Sequence, residues 1–213
     1  MPPAPLPQNE SERYIALMAY RARGLVADVQ AVQLVREAKE FFGLQQAVIA
    51  LVGRTKVYFL AEVGAGFDSL PREHSFCTYA IHNQTPLVVE DTRLDPRFSD
   101  NPSVAGPPWV RFYAGAPLVD AEGYCLGTFC LVDLQHGEGG VFKYHFDYCL
   151  GTFCLVDLQP HSLKPAEISR LVHFSQRAMR LIEMQKAMSA LLGTYNAPPA
   201  GHVATGGYAA SPP

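Results

Sequence analysis

Cysteine, tryptophan and charge are all scarce in this chain, and each shortage excludes something. Of 213 residues 17% are charged, the net charge is −3, and lysine and arginine never form a run. There is no electrostatic footprint for nucleic acid or for an anionic membrane surface. No stretch approaches the roughly 20 apolar residues that a spanning helix needs. The opening Met1-Pro2-Pro3-Ala4-Pro5 has neither the basic nor the apolar character of a leader. The expectation is a cytoplasmic protein with no nucleic-acid and no membrane partner. Five cysteines are present, but four belong to a repeated string, which leaves Cys77 and one further pair. In a reducing compartment such thiols read as core residues rather than disulfides.

What is present is a 48% hydrophobic chain, enough for one well-buried core with tails at 1–9 and 193–213 too rich in Pro, Gly, Ala and Ser to fold. The string Tyr-Cys-Leu-Gly-Thr-Phe-Cys-Leu-Val-Asp-Leu-Gln occurs twice, at Tyr124–Gln135 and Tyr148–Gln159, without one difference. Each copy is apolar, rich in aromatic and β-branched residues, and reads as a buried strand. Removing 136–159 joins Gln135 to Pro160 and restores an ordinary strand-to-helix connection. That stretch is therefore an insertion into a finished domain spanning 10–192.

Along the rest of the chain, helical spacing predicts two helices between Glu10 and Gly43, broken near Gly24. Ala47–Val52 and Val57–Ala61 form a hairpin around Gly53-Arg54-Thr55-Lys56. Ser75 caps a short helix running to Asn83, and Pro86–Glu90 is a strand. Asp91–Pro108 is a long loop, the expected wall of a cavity. Phe112–Val119 and Tyr124–Val132 form a second hairpin, and Pro165–Leu192 is a helix whose apolar stripe is too wide for one domain face. A partner helix, and so a homodimer through the terminal helices, is expected.

Several ordered blocks carry a resemblance: Arg72-Glu73-His74-Ser75-Phe76-Cys77, Val89-Glu90-Asp91, Asp95-Pro96-Arg97-Phe98 with Asn101-Pro102, Arg111-Phe112-Tyr113-Ala114-Gly115-Ala116-Pro117-Leu118, and Leu126-Gly127-Thr128-Phe129-Cys130. In these the chain resembles a GAF domain of the bacterial signalling type. The resemblance implies an α+β fold: a central antiparallel sheet, N- and C-terminal helices on one face, and on the other a ligand-type cavity under a short helix and long loop. It also implies a non-enzymatic sensory module for an unknown small molecule, signalling to a separate protein, without cofactor or metal. The alternatives are a ligand-free dimerisation scaffold and a thiol redox sensor or methionine sulfoxide reductase-like enzyme.

The residues expected to line a ligand site are Phe76, Cys77, Ala80, Asp91, Phe98, Trp109, Phe112 and Ala114, with Tyr113 beside them. Aromatic walls build small-molecule sites, and they build cores as well. Cys77 lies close in sequence to His74 and His82, a setting that lowers a thiol pKa; buried among Phe76 and Tyr79 it is instead a small hydrophobe. The loop 91–111, where reductases of this kind carry their attacking thiol, has no cysteine. The Asn-Lys pattern of the cyclic-nucleotide members and the sequence context of a bilin attachment site are also missing. The spacing of His136, His145 and His161 with the nearby cysteines fits no compact metal site. Asp91, Asp95 and Asp100 with Arg93 and Arg97 suit loop capping as well as an ionic ligand.

The twin strands compete for one slot, between the first strand and Phe112–Val119. The surplus copy then gives a protruding hairpin, a swapped dimer or a switch between copies.

Overall fold

A computed structural model describes residues 4–21, 29–66, 68–134 and 161–191. The helix break expected near Gly24, the expected insertion 136–159 with the second strand copy, and residues 1–3 and 193–213 of the expected tails lie outside the described residues.

Two N-terminal helices open the fold, α1 (Glu10–Arg21) and α2 (Val29–Phe42). Glu10 and Glu12 place negative charge in the first turn of α1, where the helix dipole favours it. Pro7 is buried just before that turn, and its carbonyl accepts from the Glu10 amide at 3.1 Å. Part of the expected N-terminal tail is thus packed against the domain.

The sheet is built from β1 (Gln46–Val52), β2 (Lys56–Val63), β3 (Ser69–Pro71), β4 (Leu87–Val89), β5 (Val110–Val119) and β6 (Cys125–Leu134). Their order is β3-β2-β1-β6-β5-β4, with every neighbouring pair antiparallel. The first copy of the repeated string therefore holds the central slot between β1 and β5. Ala47 pairs with Leu131 and Leu51 with Gly127 on one side, while Tyr113 pairs with Val132 and Leu118 with Gly127 on the other.

Strand alternation splits the core into two layers. Ile49, Leu51, Phe112, Ala116, Phe129 and Leu131 face the helices. There α2 contributes Leu34, Val35 and Ala38, and the long helix α5 (Pro165–Leu191) contributes Leu171, Phe174, Ala178 and Ile182. Ser175 donates to the Pro117 carbonyl at 2.6 Å, Arg177 pairs with Glu37 at 2.8 Å, and Tyr20 of α1 hydrogen-bonds Glu183 of α5. These polar ties fix the three helices against one another. Val48, Ala50, Val57, Tyr113, Cys130 and Val132 face the opposite side, under the short helices α3 (Cys77–Ala80) and α4 (Pro102–Ala105).

One ionic cluster joins the two ends of the sheet's neighbourhood. Arg13 is fully buried on α1 and Arg72 nearly so in the 3-10 turn after β3. Glu10 accepts from Arg13 Nε at 2.8 Å and from Arg72 Nη1 at 2.5 Å. Arg13 Nη1 also donates to the Cys125 carbonyl (3.4 Å) and Arg72 Nη1 to the Gly53 carbonyl (2.8 Å), so α1, β6 and the β1–β2 hairpin share one anchor. Burial raises the Glu10 pKa, but the hydrogen bonds from Arg13 and Arg72 override it and bring the carboxyl from 4.5 to about 2.

Two outcomes follow for stability. A Cβ at Gly127 would collide with the Ala50 carbonyl, so Gly127→Ala is expected to lower stability by about 2–3 kcal/mol in urea denaturation, in the range for overpacking. Gly151→Ala, the same change in the second copy, is expected to leave it unchanged, and an equal loss would show that the second copy also takes the slot. Because the folded pKa of Glu10 is depressed, its contribution is fully present above pH 4.5 and is lost as pH falls through about 2. Glu10→Gln is expected to cost about 2 kcal/mol at pH 7, below the usual cost of breaking a buried pair since the carboxylate is partly solvated, and to flatten the acid limb of stability against pH.

Candidate functional site

The face of the sheet away from the long helices is roofed by two short helices and the loop between β4 and β5. Each part of the roof has a local cause. The Cys77 amide donates to Ser75 Oγ at 3.1 Å just ahead of α3, whose N-cap position is Phe76 rather than Ser75, and the helix stops at Ala80 rather than Asn83. Asn101 caps α4 by accepting from the Ser103 amide at 2.8 Å, and its Nδ2 donates to the His74 carbonyl at 3.0 Å. With Pro102 at the first helical position, Asn101 both starts α4 and ties it to the turn before α3. Thr92 stitches the loop to β5 through the Val110 carbonyl at 2.6 Å.

Beneath this roof three rings stack. Phe76 and Phe98 lie 4.4 Å apart at 29°, and Phe76 and Tyr113 lie 5.1 Å apart at 20°. Gly115 allows this arrangement, because a Cβ there would occupy the space of the Tyr113 ring. The stack leaves a void of about 40 Å³, room for roughly one water. Val48, Tyr113 and Cys130 line it from the sheet, and His74, Phe76 and Cys77 from the roof. Gln46 and Ser103 add polar groups at its edge.

The eight expected site residues separate in space. Phe76 and Cys77 line the void, and Ala80 and Phe98 are buried in the same cluster. Phe112 and Ala114 are on the helix face instead, which corrects the expectation that they line the cavity. The cause is a bulge: pairing shifts between Val110 and Phe112, which puts Val110 and Tyr113 on the cavity side together. Trp109, with a φ of 61° and 39% exposed, sits over the Arg111 guanidinium at 5.8 Å and is not among the void's lining residues.

Asp91 belongs to a surface unit that occurs twice. Asp91 accepts from the Arg93 amide (3.0 Å) and Nε (2.9 Å), and Asp95 accepts from the Arg97 amide (3.0 Å) and Nε (2.9 Å). Each arginine's hydrogen bond lowers its aspartate's pKa against the opposing effect of burial. These pairs shape the loop, as the capping reading expects.

Around Cys77 the hydrogen-bonding neighbours are Ser75, Cys130 and the Tyr113 hydroxyl. Cys130 was missed as a site residue; its only sequence signal is a place in the central strand. Gln46 was missed as well, being the first residue of a strand that otherwise reads as fully apolar.

The described residues include no helix long and apolar enough to cross a membrane and no group of side chains arranged to hold a metal.

A family model described as GAF domain matches residues 30–147. The chain is 38% identical over 134 residues to a cyclic di-GMP phosphodiesterase of Pseudomonas aeruginosa, a match covering 63% of this chain and 22% of that protein. It thus spans under a quarter of that relative's length. Among solved structures, it is similar to the GAF domain of an Acinetobacter phosphoenolpyruvate-protein phosphotransferase, with TM-score 0.53, 12% identity and coverage of 84% of this chain and 96% of that one. It is similar also to a type II free methionine-R-sulfoxide reductase from Thermoplasma acidophilum, with TM-score 0.51, 12% identity and coverage of 78% and 96%. At such identities these two structures speak for the fold alone.

The ring stack gives a direct outcome. Phe76→Ala is expected to cost about 3–4 kcal/mol in urea unfolding, whereas Trp109→Ala should cost under about 1 kcal/mol, as surface changes do. Equal costs would show that the stack is not part of the core.

Proposed function

The chain belongs to the GAF domain family, and from that premise we propose that it is a cytoplasmic, non-enzymatic regulatory module of bacterial signal transduction. It pairs with a second copy through its terminal helices and acts on a separate signalling protein. The observation that carries this reading is the overshoot of α5. The helix has 27 residues and its last buried residue is Ile182. Beyond it Met184, Met188 and Leu191 are 57%, 58% and 86% exposed. Ile15 of α1 and Val29 of α2 add exposed apolar surface on the helical layer. A helix that runs past its own sheet with an apolar stripe is suited to a partner helix.

The kind of protein acted on is suggested by the relative. Its name is that of a cyclic di-GMP phosphodiesterase, and an enzyme of cyclic-dinucleotide turnover is the partner we propose.

A second reading, ligand sensing in the cavity, is favoured by the polar groups of Gln46, His74 and Ser103 around an otherwise apolar and aromatic void. The void has room for a water or a molecule little larger, so a bulkier ligand has to swing the Phe76 ring out of its stack. Without that opening the domain is the ligand-free scaffold.

Light scattering on the eluting protein is expected to give twice the 23.4 kDa chain mass, and Met184→Glu with Met188→Glu to give the monomer. A wild-type monomer at high micromolar concentration contradicts the pairing. For the sensing reading, cyclic nucleotides and free amino acids are the probes. A ligand at 100 times its Kd should raise Tm by about 5–10 °C, and a flat response to all of them favours the scaffold.

A further inference from the structure

The Cys77–Cys130 pair belongs to the core layer on the cavity side, and the proposed signalling role makes no use of its chemistry. The two sulfurs lie 3.9 Å apart, one on α3 and the other on β6. Both are buried thiols that are not in a disulfide. The void of about 40 Å³ is bounded by both cysteines, Tyr113 and His74, and the His74 side chain is partly exposed, so the void lies close to solvent. Two further hydroxyls surround the pair. The Tyr113 hydroxyl donates to Cys77 Sγ at 3.6 Å. Thr128 is fully buried beside Cys77, and its Oγ1 makes no hydrogen bond of regular geometry.

We propose that Cys77 and Cys130 form a two-electron redox site, oxidised to a disulfide by a small hydroperoxide that enters the void beside His74. The site stands on the thiol geometry and requires neither a bound ligand nor a dimer.

The chemistry balances within the site once the hydroperoxide supplies the oxidant. The Cys77 sulfur, as thiolate, attacks one peroxide oxygen and the O–O bond breaks. The other oxygen leaves with a proton as water or an alcohol, and Cys77 becomes a sulfenic acid. The Cys130 sulfur then attacks the Cys77 sulfur. The S–O bond breaks, and the departing hydroxide takes the Cys130 proton and leaves as water. Two thiols and one hydroperoxide thus give one disulfide, one water and one water or alcohol.

Cys77 is the attacking member. Its contact with Cys130, followed by the hydrogen bond with Ser75, favours the thiolate and holds its pKa below that of an ordinary thiol, against the opposing effect of burial. Burial, and then the neighbouring Cys77, raises the Tyr113 pKa well above that of an ordinary phenol, so its hydroxyl stays protonated and able to donate to the leaving oxygen. Closing the sulfurs from 3.9 Å to about 2 Å draws α3 toward β6. The four-residue α3 is carried on loops and is the part that moves. Oxidation therefore reshapes the same roof that covers the ring stack.

The test uses the full chain, hydrogen peroxide, and tryptic mapping without reductant. Trypsin cuts after Lys143, between the two copies of the repeated string, so the identical strands fall in different peptides. The expected result is a loss of two thiols, a cross-link joining Glu73–Arg93 to Phe112–Lys143 that Cys125→Ser leaves intact, and full reversal by dithiothreitol. In Cys130→Ser, Cys77 should instead be trapped by dimedone as the sulfenic acid. Cys77 left reduced in the native wild-type protein, under peroxide that oxidises the urea-unfolded chain, overturns the proposal. A cross-link from Cys77 to Tyr144–Arg170, or one to Phe112–Lys143 that Cys125→Ser abolishes, overturns it as well.

Discussion

A single vacancy in a hydrogen-bonded sheet governs this molecule. Between β1 and β5 there is room for one strand, and Cys125–Leu134 fills it, bonded on both sides. The fit is made by backbone as much as by side chains: Gly127 lies so close to the Ala50 carbonyl that no larger residue is accommodated. Both core layers are completed by this strand, with Phe129 and Leu131 toward the helices and Cys130 and Val132 toward the cavity. The anchor formed by Glu10, Arg13 and Arg72 also ends on it, through the Cys125 carbonyl. An identical second copy brings the same side chains, so the sequence itself does not discriminate between the twins. What favours the first copy is connection: it follows β5 through a five-residue turn, 120–124, in which Tyr124 donates its amide to Asp120 at 2.7 Å, and short hairpins close fast and at low entropic cost.

From this strand the two faces acquire different tasks. The helical layer is tied by Ser175, Arg177 and Tyr20 to fixed partners, and α5 carries its apolar stripe beyond the sheet. The opposite layer is lighter, with helices of four residues each, and it holds the ring stack and the thiol pair. The two layers share β5 and β6, which carry α1 and α5 on one face and α3 and α4 on the other.

Much of this was legible in the residues. The periodicity of Leu34, Val35 and Ala38 fixed a helix, Gly53-Arg54-Thr55-Lys56 fixed a hairpin, and the slot between the first strand and Phe112–Val119 followed from the family resemblance. The errors have specific causes. β3 is three residues long, Ser69–Pro71, too short for alternation to register. Placing Phe112 and Ala114 on the cavity wall together with Tyr113 failed because the bulge near Arg111 is set by pairing across the sheet, which one strand's sequence does not display. The same limit applies to Cys130. Its neighbour Cys77 is 53 positions away, and only the folded sheet makes them a pair. Glu10 and Arg72 were read as a helix start and a motif residue, and their ion pair spans 62 positions.

The central claim is that the first copy of the repeated string, and not the second, lies between β1 and β5. Cross-strand nuclear Overhauser effects in the uniformly labelled chain test it most directly, since backbone assignment walked in from Gly123 and from Asp147, the residues that precede the two copies, tells Gly127 from Gly151. The account predicts that the backbone of Ala50 and Leu51 shows cross-peaks to Gly127 and Thr128. The same cross-peaks to Gly151 and Thr152, at comparable or greater intensity, would contradict it.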